Sequence, residues 1–447
     1  MRRCGRRWNA SLTPSDGARA PRGLARLIAA DTAEIPAVIG GFLLFFLLFA
    51  SYFMLRPVRE TFAIAGGVDN IQWLFTATFV ATLVVVPLYG LIGRHVPRRR
   101  LLPVTYILCA LVMAGFAASL LASPGNVWIG RAFYVWLSVF NLFTISIAWS
   151  LMADIFRPDQ AHRLFGQIAA GASLGGLAGP LLSTLLVEPL GHAGLLLLST
   201  ALLLGTLGCV AFLLRWADRK GEEQAASRSQ PIGGGIWSGL TLIARSPYLI
   251  AISAFVLLLT IVSTFLYMEQ ARIMDTTFPD PVRQTQVFGA IDAVVQALTI
   301  AVQLFLTGRI AKWFGVSALL AIVPALMVAG FGLLATSMTF PMLVAVMIVR
   351  RVGEYAFVRP GREMLFAPVD HETKYKAKNA IDTAVYRTGD LLGAWTNAGI
   401  LLIGSAPLVA VAGAGFAAIW GVLGVAIGRR HDRVRPPVPA VAEPTAR

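Results

Sequence analysis

Residues 247–268 read PYLIAISAFVLLLTIVSTFLYM, a run without a single charged side chain. A helix of about 20 apolar residues is long enough to cross the ~30 Å hydrocarbon core of a bilayer. The run is continuously apolar rather than alternating, which favours a helix over a strand of a membrane barrel. The stretch therefore predicts a transmembrane helix.

Eleven further runs of this kind make the chain an all-α membrane protein by prediction. The sequence is 57% hydrophobic and only 14% charged, whereas soluble domains carry about 25% charged residues. The twelve predicted spans are residues 36–56, 71–93, 101–122, 127–153, 165–188, 193–216, 247–268, 285–308, 315–337, 340–358, 379–402 and 405–428.

The net charge of +15 is distributed unevenly over the predicted loops. When the loops are assigned alternately to two sides, Lys and Arg concentrate on the side that holds both termini. The opposite loops hold only Arg59, Arg272 and Arg283. This bias indicates cytoplasmic termini, so we expect a multi-pass protein of the bacterial inner membrane with no nucleic-acid partner.

A charged and Gly/Ser-rich segment, residues 217–246, follows the sixth span. Features of the chain before this segment recur after it at a nearly constant distance along the sequence. An example is Arg56 at the end of span 1 and Glu269 at the end of span 7. We therefore predict two pseudo-symmetric six-helix bundles, an architecture typical of carriers. The predicted divisions are a disordered basic tail 1–35, a bundle 36–216, a cytoplasmic linker 217–246, a bundle 247–428 and a disordered tail 429–447.

The sequence lacks the usual marks of an enzyme. It has no G-x-x-x-x-G-K-[ST] phosphate loop. Its three cysteines are scattered, and His371-Glu372 lacks the second histidine that a zinc site of this type needs. We predict no catalytic residues, no metal and no cofactor, and we expect a monomer.

A stripe of small residues recurs every four positions in span 5, at Gly171, Gly175, Gly179 and Ser183. Such a stripe lets two membrane helices approach closely. The segment Gly175-x-x-x-Gly179-Pro180 also resembles a motif of facilitator-type antiporters. Helix packing with a proline kink and a role in antiport both remain open for it.

Polar groups inside the spans predict a central site. Asp292, Gln296, Thr299 and Gln303 share one face of span 8. An acid facing lipid is costly, so this face should line a cavity. Residues 350–390 also concentrate fourteen of the sixty-one charged residues.

Spacing along the chain distinguishes two pairs of charged residues within residues 350–390. Arg350 and Glu354 lie at i, i+4, which predicts a structural ion pair. Arg387 and Asp390 lie in span 11, where Arg387 either pairs with an acid for packing or faces the transport path.

The end of span 1 reads Leu55-Arg56-Pro57-Val58-Arg59-Glu60. Pro57 should interrupt the helix. Glu269 occupies the matching place in span 7. Arg56, Arg59 and Arg387 could clamp a phosphate or carboxylate, because a guanidinium offers two parallel donors to such anions.

The residues around the charged block carry a family resemblance. They run Pro360-Gly-Arg-Glu-Met-Leu-Phe-Ala-Pro-Val-Asp370 and continue through Ala380-Ile-Asp382 to Arg387-x-Gly389. This stretch resembles spans 10–11 of the ATP/ADP-translocase, or NTP/NDP exchange, family of plastids and intracellular bacteria.

The resemblance implies a twelve-helix, major-facilitator-like fold that exchanges nucleotides. It also implies charged transport residues near spans 1, 4, 7 and 11, which here correspond to Arg56 or Arg59, Asp154, Glu269, and Lys376 to Arg387. The family pattern continues R-x-G with Lys, whereas this chain has Asp390.

We accordingly predict a secondary transporter that works by alternating access and exchanges anionic, phosphate-bearing metabolites such as nucleotides. The predicted substrate-binding residues are Arg56, Arg59, Glu269, Asp292, Arg387 and Asp390. The alternative is a proton-coupled facilitator for drug-like or cationic solutes. In that case Asp292 and Asp390 handle substrate and proton, and the arginines are structural.

Overall fold

The computed structural model describes residues 31–95, 98–219 and 236–434. Within these ranges the regular structure is entirely helical. Most of the two predicted tails and the middle of the predicted linker, residues 1–30, 220–235 and 435–447, lie outside the described residues.

The first helices are α1 (Ile35–Ala65), α2 (Ile71–His95), α3 (Arg98–Ala122) and α4 (Val127–Ile155), and the helical stretch Pro158–Arg219 divides at Gly191 into α5 and α6. Next come α7 (Ile236–Arg245), α8 (Pro247–Thr277), α9 (Pro281–Val302) and α10 (Gly308–Thr336). The last are α11 (Phe340–Gly353), α12 (Arg359–Leu365), α13 (His371–Ala380), α14 (Tyr386–Ile403) and α15 (Ala406–Val434).

Eight stretches of the described residues are long and apolar enough to cross a membrane. Two of them, Arg163–Arg219 and Pro281–Thr336, hold 57 and 56 residues, and a straight helix of that length would measure about 85 Å. Each contains a glycine at positive φ, Gly191 at 65° and Gly315 at 74°. Gly191 separates α5 from α6, and Gly315 makes a kink within α10.

Two further predicted spans are interrupted by π-helical turns that begin near charged residues. Glu354–Val358 joins α11 to α12, and Ile381–Val385 joins α13 to α14. A third π turn, Gln303–Thr307, joins α9 to α10. π turns inside helices frequently mark functional sites, and all three contribute residues to the cavity described below.

Helix α1 differs from its prediction in length and continuity. The prediction that Pro57 interrupts it is wrong, because one helix runs from Ile35 to Ala65 through the proline. Membrane helices tolerate proline where neighbouring groups satisfy the freed backbone, and the Thr61 hydroxyl donates to the Pro57 carbonyl at 3.2 Å. Arg56 and Arg59 therefore lie within the helix rather than at its end.

The ends of the predicted bundles also extend further than expected. Glu34, assigned by prediction to the tail, is buried, and its carboxylate lies 3.2 Å from Arg163. α15 continues to Val434.

Asp370, in the loop before α13, caps that helix. Its carboxylate accepts a hydrogen bond from the Thr373 amide at 2.9 Å, and the Thr373 hydrogen bonds hold the pKa of Asp370 below its usual value.

The small-residue stripe of α5 lies against α1. A Cβ atom on Gly179 would come within 2.7 Å of the Ala50 carbonyl oxygen and 2.8 Å of the Met54 nitrogen. Gly175 and Gly171 make comparable approaches to the α1 backbone. The stripe thus serves close packing of α1 against α5.

Gly179→Ala should therefore destabilise the protein by about 1–3 kcal/mol, because backbone atoms must move to admit the methyl group. Gly208→Ala is the control, since a Cβ there meets nothing within 4 Å. Thermal unfolding in detergent checks both. Equal melting temperatures for Gly179→Ala and wild type would contradict the close contact.

Two apolar clusters organise the interior. One is drawn from residues between Ala37 and Leu213, and the other from residues between Ile243 and Ile427. Helices α1–α6 meet α8–α15 along α5 with α9 and along α2 with α14. The polar face of α9 thereby lies near the middle of the molecule.

Candidate functional site

A cavity of about 1390 Å³ lies between α1–α6 and α8–α15. Ligand pockets commonly enclose about 300–1,000 Å³, so this one has room for a metabolite with its solvent. Its lining includes six cationic side chains: Arg56, Arg59, Arg359, Arg362, Lys376 and Arg387. Four carboxylates also line it: Glu354, Glu363, Asp382 and Asp390.

Asp292 connects two arginines in the deep part of this site. Its Oδ1 lies 2.5 Å from Nη1 of Arg351, and its Oδ2 lies 3.7 Å from Nε of Arg56. Asp292 and Arg351 are 5% and 4% exposed. Since Arg56 belongs to α1 and Asp292 to α9, this group joins the two sets of helices.

Arg59 and Arg387 converge on Ser138 from opposite sides of the cavity. Arg59 donates to the Ser138 hydroxyl at 3.4 Å, and Arg387 donates to the Ser138 carbonyl oxygen at 3.3 Å. Each also has its own carboxylate, Glu60 for Arg59 and Asp390 for Arg387. Two guanidinium groups, one from α1 and one from α14, therefore approach a single residue of α4.

The groups just described form what we call the arginine tier: Arg56, Arg59, Arg351 and Arg387 with Glu60, Asp292 and Asp390. Tyr134 belongs beside them, because the Arg59 guanidinium lies 5.0 Å from the centre of its ring. An arginine held by an aromatic face and a carboxylate is fixed in direction. The tier is suited to orient an anion.

A second charged layer, the outer tier, lies around the π turn between α11 and α12. Glu354 pairs with Arg350 at 2.8 Å and with Arg359 at 3.5 Å. Arg362 pairs with Asp382 at 2.9 Å. The spacing prediction of a structural Arg350–Glu354 pair is thus met by the geometry, with Arg359 as an additional partner.

Four of the six predicted substrate-binding residues, Arg56, Arg59, Arg387 and Asp390, line the cavity. Asp292 does not line the cavity itself, but its carboxylate pairs with Arg56, which does. Gln296, Thr299 and Gln303 on the same helical face line the cavity. Glu269 lies outside this lining: it is 2% exposed and contacts Arg272 and Asn397.

Two important residues escaped the sequence prediction. Arg351 and Tyr134 belong to the site, but nothing in their spacing separates them from their neighbours. Arg351 directly follows Arg350, and only the three-dimensional fold decides which of the two reaches Asp292. The sequence holds no signal that could have found it, since Glu354 lies four positions after Arg350 and three after Arg351 and could pair with either arginine.

Asp292→Asn should destabilise the protein by about 3–5 kcal/mol, because Arg351 and Arg56 would lose the carboxylate between them. Asp280→Asn is the control, since Asp280 is exposed and caps α9, and Asn caps a helix about as well as Asp. Thermal unfolding of both purified variants checks this. An Asp292→Asn protein as stable as the control would contradict a structural role for the carboxylate.

The cavity has a closed end, where α1 and α8 finish and the two sets of helices touch. The hydroxyl oxygens of Thr61 and Thr285 are 2.7 Å apart, and His192 Nε2 lies 3.0 Å from Thr285. Trp395 donates to the Thr76 hydroxyl at 3.0 Å. In the other direction the lining continues past the outer tier to Lys376, which we call the open end.

Comparisons of the sequence with known proteins agree with this architecture. The sequence model of the Major Facilitator Superfamily matches residues 37–358. ADP,ATP carrier protein 1 of Chlamydia muridarum (strain MoPn / Nigg) is 24% identical over 462 residues, which cover 87% of each chain. Its counterpart of Chlamydia trachomatis serovar D is 23% identical with the same coverage. The resemblance noted at residues 359–390 is thus confirmed as a distant similarity over most of the chain.

Solved structures with the same fold are also transporters. A mutant of nucleoside transporter NupG superposes with a TM-score of 0.64 at 14% identity, covering 88% of this chain and 99% of NupG. A bacterial homologue of iron transporter ferroportin in an inward-facing state gives 0.62 at 14% identity, covering 89% and 100%. At such identities the likeness establishes the fold and leaves the substrate open.

Proposed function

We propose that this chain, which belongs to the major facilitator superfamily, exchanges anionic, phosphate-bearing metabolites across the membrane, with nucleotides as the leading class. The chain is a multi-pass membrane transporter and not an enzyme. The substrate is the part that we infer, from the charges of the cavity and from the chlamydial relatives that are named ADP,ATP carriers.

The observation that carries the proposal is a surplus of guanidinium groups at two places in and beside the cavity. Asp292 is shared by Arg56 and Arg351, and Glu354 is shared by Arg350 and Arg359. Two arginines for one carboxylate leave a net positive charge, which water can solvate and an anion can neutralise. A phosphate group suits this need, since arginine binds it through two parallel hydrogen bonds.

The position of the cavity between α1–α6 and α8–α15 supports the predicted mechanism of alternating access. We propose twelve spans in two six-helix bundles, residues 36–216 and 247–428, with cytoplasmic termini. The bundles would rock about the site between them. Arg59 and Arg387 stand on opposite sides of that site, so an anion held by both would sense the relative position of the bundles.

The rival function, proton-coupled transport of cationic solutes, finds less support in the cavity. Asp390 pairs with Arg387 at 3.1 Å, Asp382 with Arg362 at 2.9 Å, and Asp292 with two arginines. A cation would have to displace a guanidinium to reach any of these carboxylates. We therefore assign the arginines to the substrate, and we assign Glu269 to holding α8 against α14 through Arg272 and Asn397.

Counter-exchange in liposomes tests the proposal. The purified protein is reconstituted, the vesicles are loaded with an unlabelled mixture of AMP, ADP and ATP, and uptake of each labelled nucleotide is followed. We expect uptake that depends on internal nucleotide and is lost in protein-free vesicles. Absence of uptake for every nucleotide, together with proton-driven uptake of a cationic dye, would overturn the proposal in favour of its rival.

A further inference from the structure

The carboxylate of Asp390 forms an ion pair with Arg387, the arginine of α14 that lines the cavity. Its Oδ2 lies 3.1 Å from Nη1 of Arg387, and its Oδ1 accepts a hydrogen bond from the Thr264 hydroxyl at 3.4 Å. Asp390 is 7% exposed, yet it lines the cavity. A substrate anion that binds Arg387 therefore meets a fixed negative charge beside it.

The arginine tier is close to charge balance because of this residue. Its four guanidinium groups face three carboxylates, one each from Glu60, Asp292 and Asp390. One positive charge is left to attract an anion. Without Asp390 the surplus would double, and it would lie on the side of the cavity formed by α14.

We propose that the cavity selects a phosphomonoester, an anion with a single phosphate group of about −1.5 to −2 charges, and that Asp390 is the residue that disfavours nucleoside di- and triphosphates. This inference rests on the proposed function and narrows it to the nucleoside monophosphates. One phosphate group, with about −1.5 to −2 charges, comes nearest to the single surplus positive charge of the tier, whereas each added phosphate brings more negative charge toward Asp390.

Like charges in a partly dry site repel strongly, because the local dielectric constant is far below that of water. Asp390 cannot turn away into solvent, since it is buried and held by Thr264 and Arg387. A group that repels the wrong ligand raises specificity even though it weakens attraction to the right one. This is the effect we assign to Asp390.

The cavity walls favour a nucleoside over a sugar as the carrier of that phosphate. Phe49 and Phe53 line the cavity with nearly parallel rings, at 16° and 5.9 Å between centroids. Tyr52, Tyr355 and Tyr386 also line it. Aromatic faces stack on nucleobases of every kind, whereas a hexose phosphate offers them no π-face.

The experiment measures uptake of labelled AMP, ADP, ATP and glucose 6-phosphate into liposomes that contain the full-length protein and the unlabelled nucleotide mixture. We expect wild type to take up AMP about tenfold faster than ATP, and Asp390→Asn to reduce this ratio about tenfold. Asp390→Glu keeps the charge and should keep the preference. Asp280→Asn removes a surface charge and should leave the ratio unchanged.

The outcomes separate the two proposals. Nucleotide uptake whose AMP-to-ATP ratio is below one, or is unchanged by Asp390→Asn, would overturn the role of Asp390 and leave the proposed function standing. Faster uptake of glucose 6-phosphate than of AMP would overturn the nucleoside assignment. If Asp390→Asn fails to fold, the ratio in Asp390→Glu and in wild type still decides the preference for one phosphate. No uptake of any nucleotide by folded wild type would overturn the proposed function itself.

Discussion

Arg387→Gln is expected to lower nucleotide exchange about 100-fold in protein that remains folded, an effect in the range measured for truncating one partner of a buried charged pair. Arg387 lines the cavity on α14, opposite Arg59 on α1. Glutamine keeps part of the length and polarity of the side chain. It loses the charge and the two parallel donors with which arginine holds a phosphate.

The variant must be separated from one that merely misfolds, because Asp390 would remain buried without its partner. The double variant Arg387→Gln with Asp390→Asn removes both charges. It should be as stable as wild type, but its exchange rate should be as low as that of Arg387→Gln alone. The initial rate in liposomes, divided by the amount of reconstituted protein, reports transport. The melting temperature in detergent reports folding.

The chain offers a matched control in Arg272→Gln. Arg272 pairs with Glu269 three residues away, as Arg387 pairs with Asp390, and the exposure of the two arginine side chains is 22% and 20%. Arg272 instead holds Asn397 at 2.8 Å, outside the cavity lining. A wild-type rate for Arg387→Gln would assign Arg387 to packing alone. A loss confined to Arg272→Gln would return Glu269 to the transport path, with Arg272 as its partner.

The fold was largely predictable because lipid imposes a simple requirement on the sequence. An apolar run such as residues 247–268 has no alternative to a helix in a bilayer. The predicted helix ends are wrong where a helix continues in contact with other helices beyond its apolar run. α1 continues for nine residues past Arg56 to Ala65, where Arg59 pairs with Glu60, and α8 continues to Thr277, where Arg272 pairs with Glu269.

The candidate site was predictable only in part, for a reason of geometry. Helical spacing identifies neighbours on one helix, so it pointed to Arg387 and Asp390 and to the face of Asp292. It contains no information about contacts between helices. The approach of Arg59 and Arg387 to Ser138, residues 79 and 249 positions apart from it, therefore appears only in the folded chain.

A disulfide between Thr61→Cys and Thr285→Cys should stop exchange almost completely, and a reductant should restore it. The two hydroxyl oxygens are 2.7 Å apart at the closed end of the cavity, so cysteines there should meet the distance that a disulfide needs. Alternating access requires α1 and α9 to separate at this end. A covalent bond would hold the cavity in the form that opens past Lys376. Native cysteines are first replaced by serine.

Ser51→Cys with Ser199→Cys provides the control for that experiment. Their hydroxyl oxygens are 2.8 Å apart, but α1 and α6 belong to the same set of helices, which moves as one body in the proposed mechanism. Oxidation of this pair should leave the exchange rate unchanged. Equal inhibition of both pairs would mean that any cross-link distorts the protein, whereas unchanged exchange in the oxidised Thr61–Thr285 pair would mean that this contact does not open during transport.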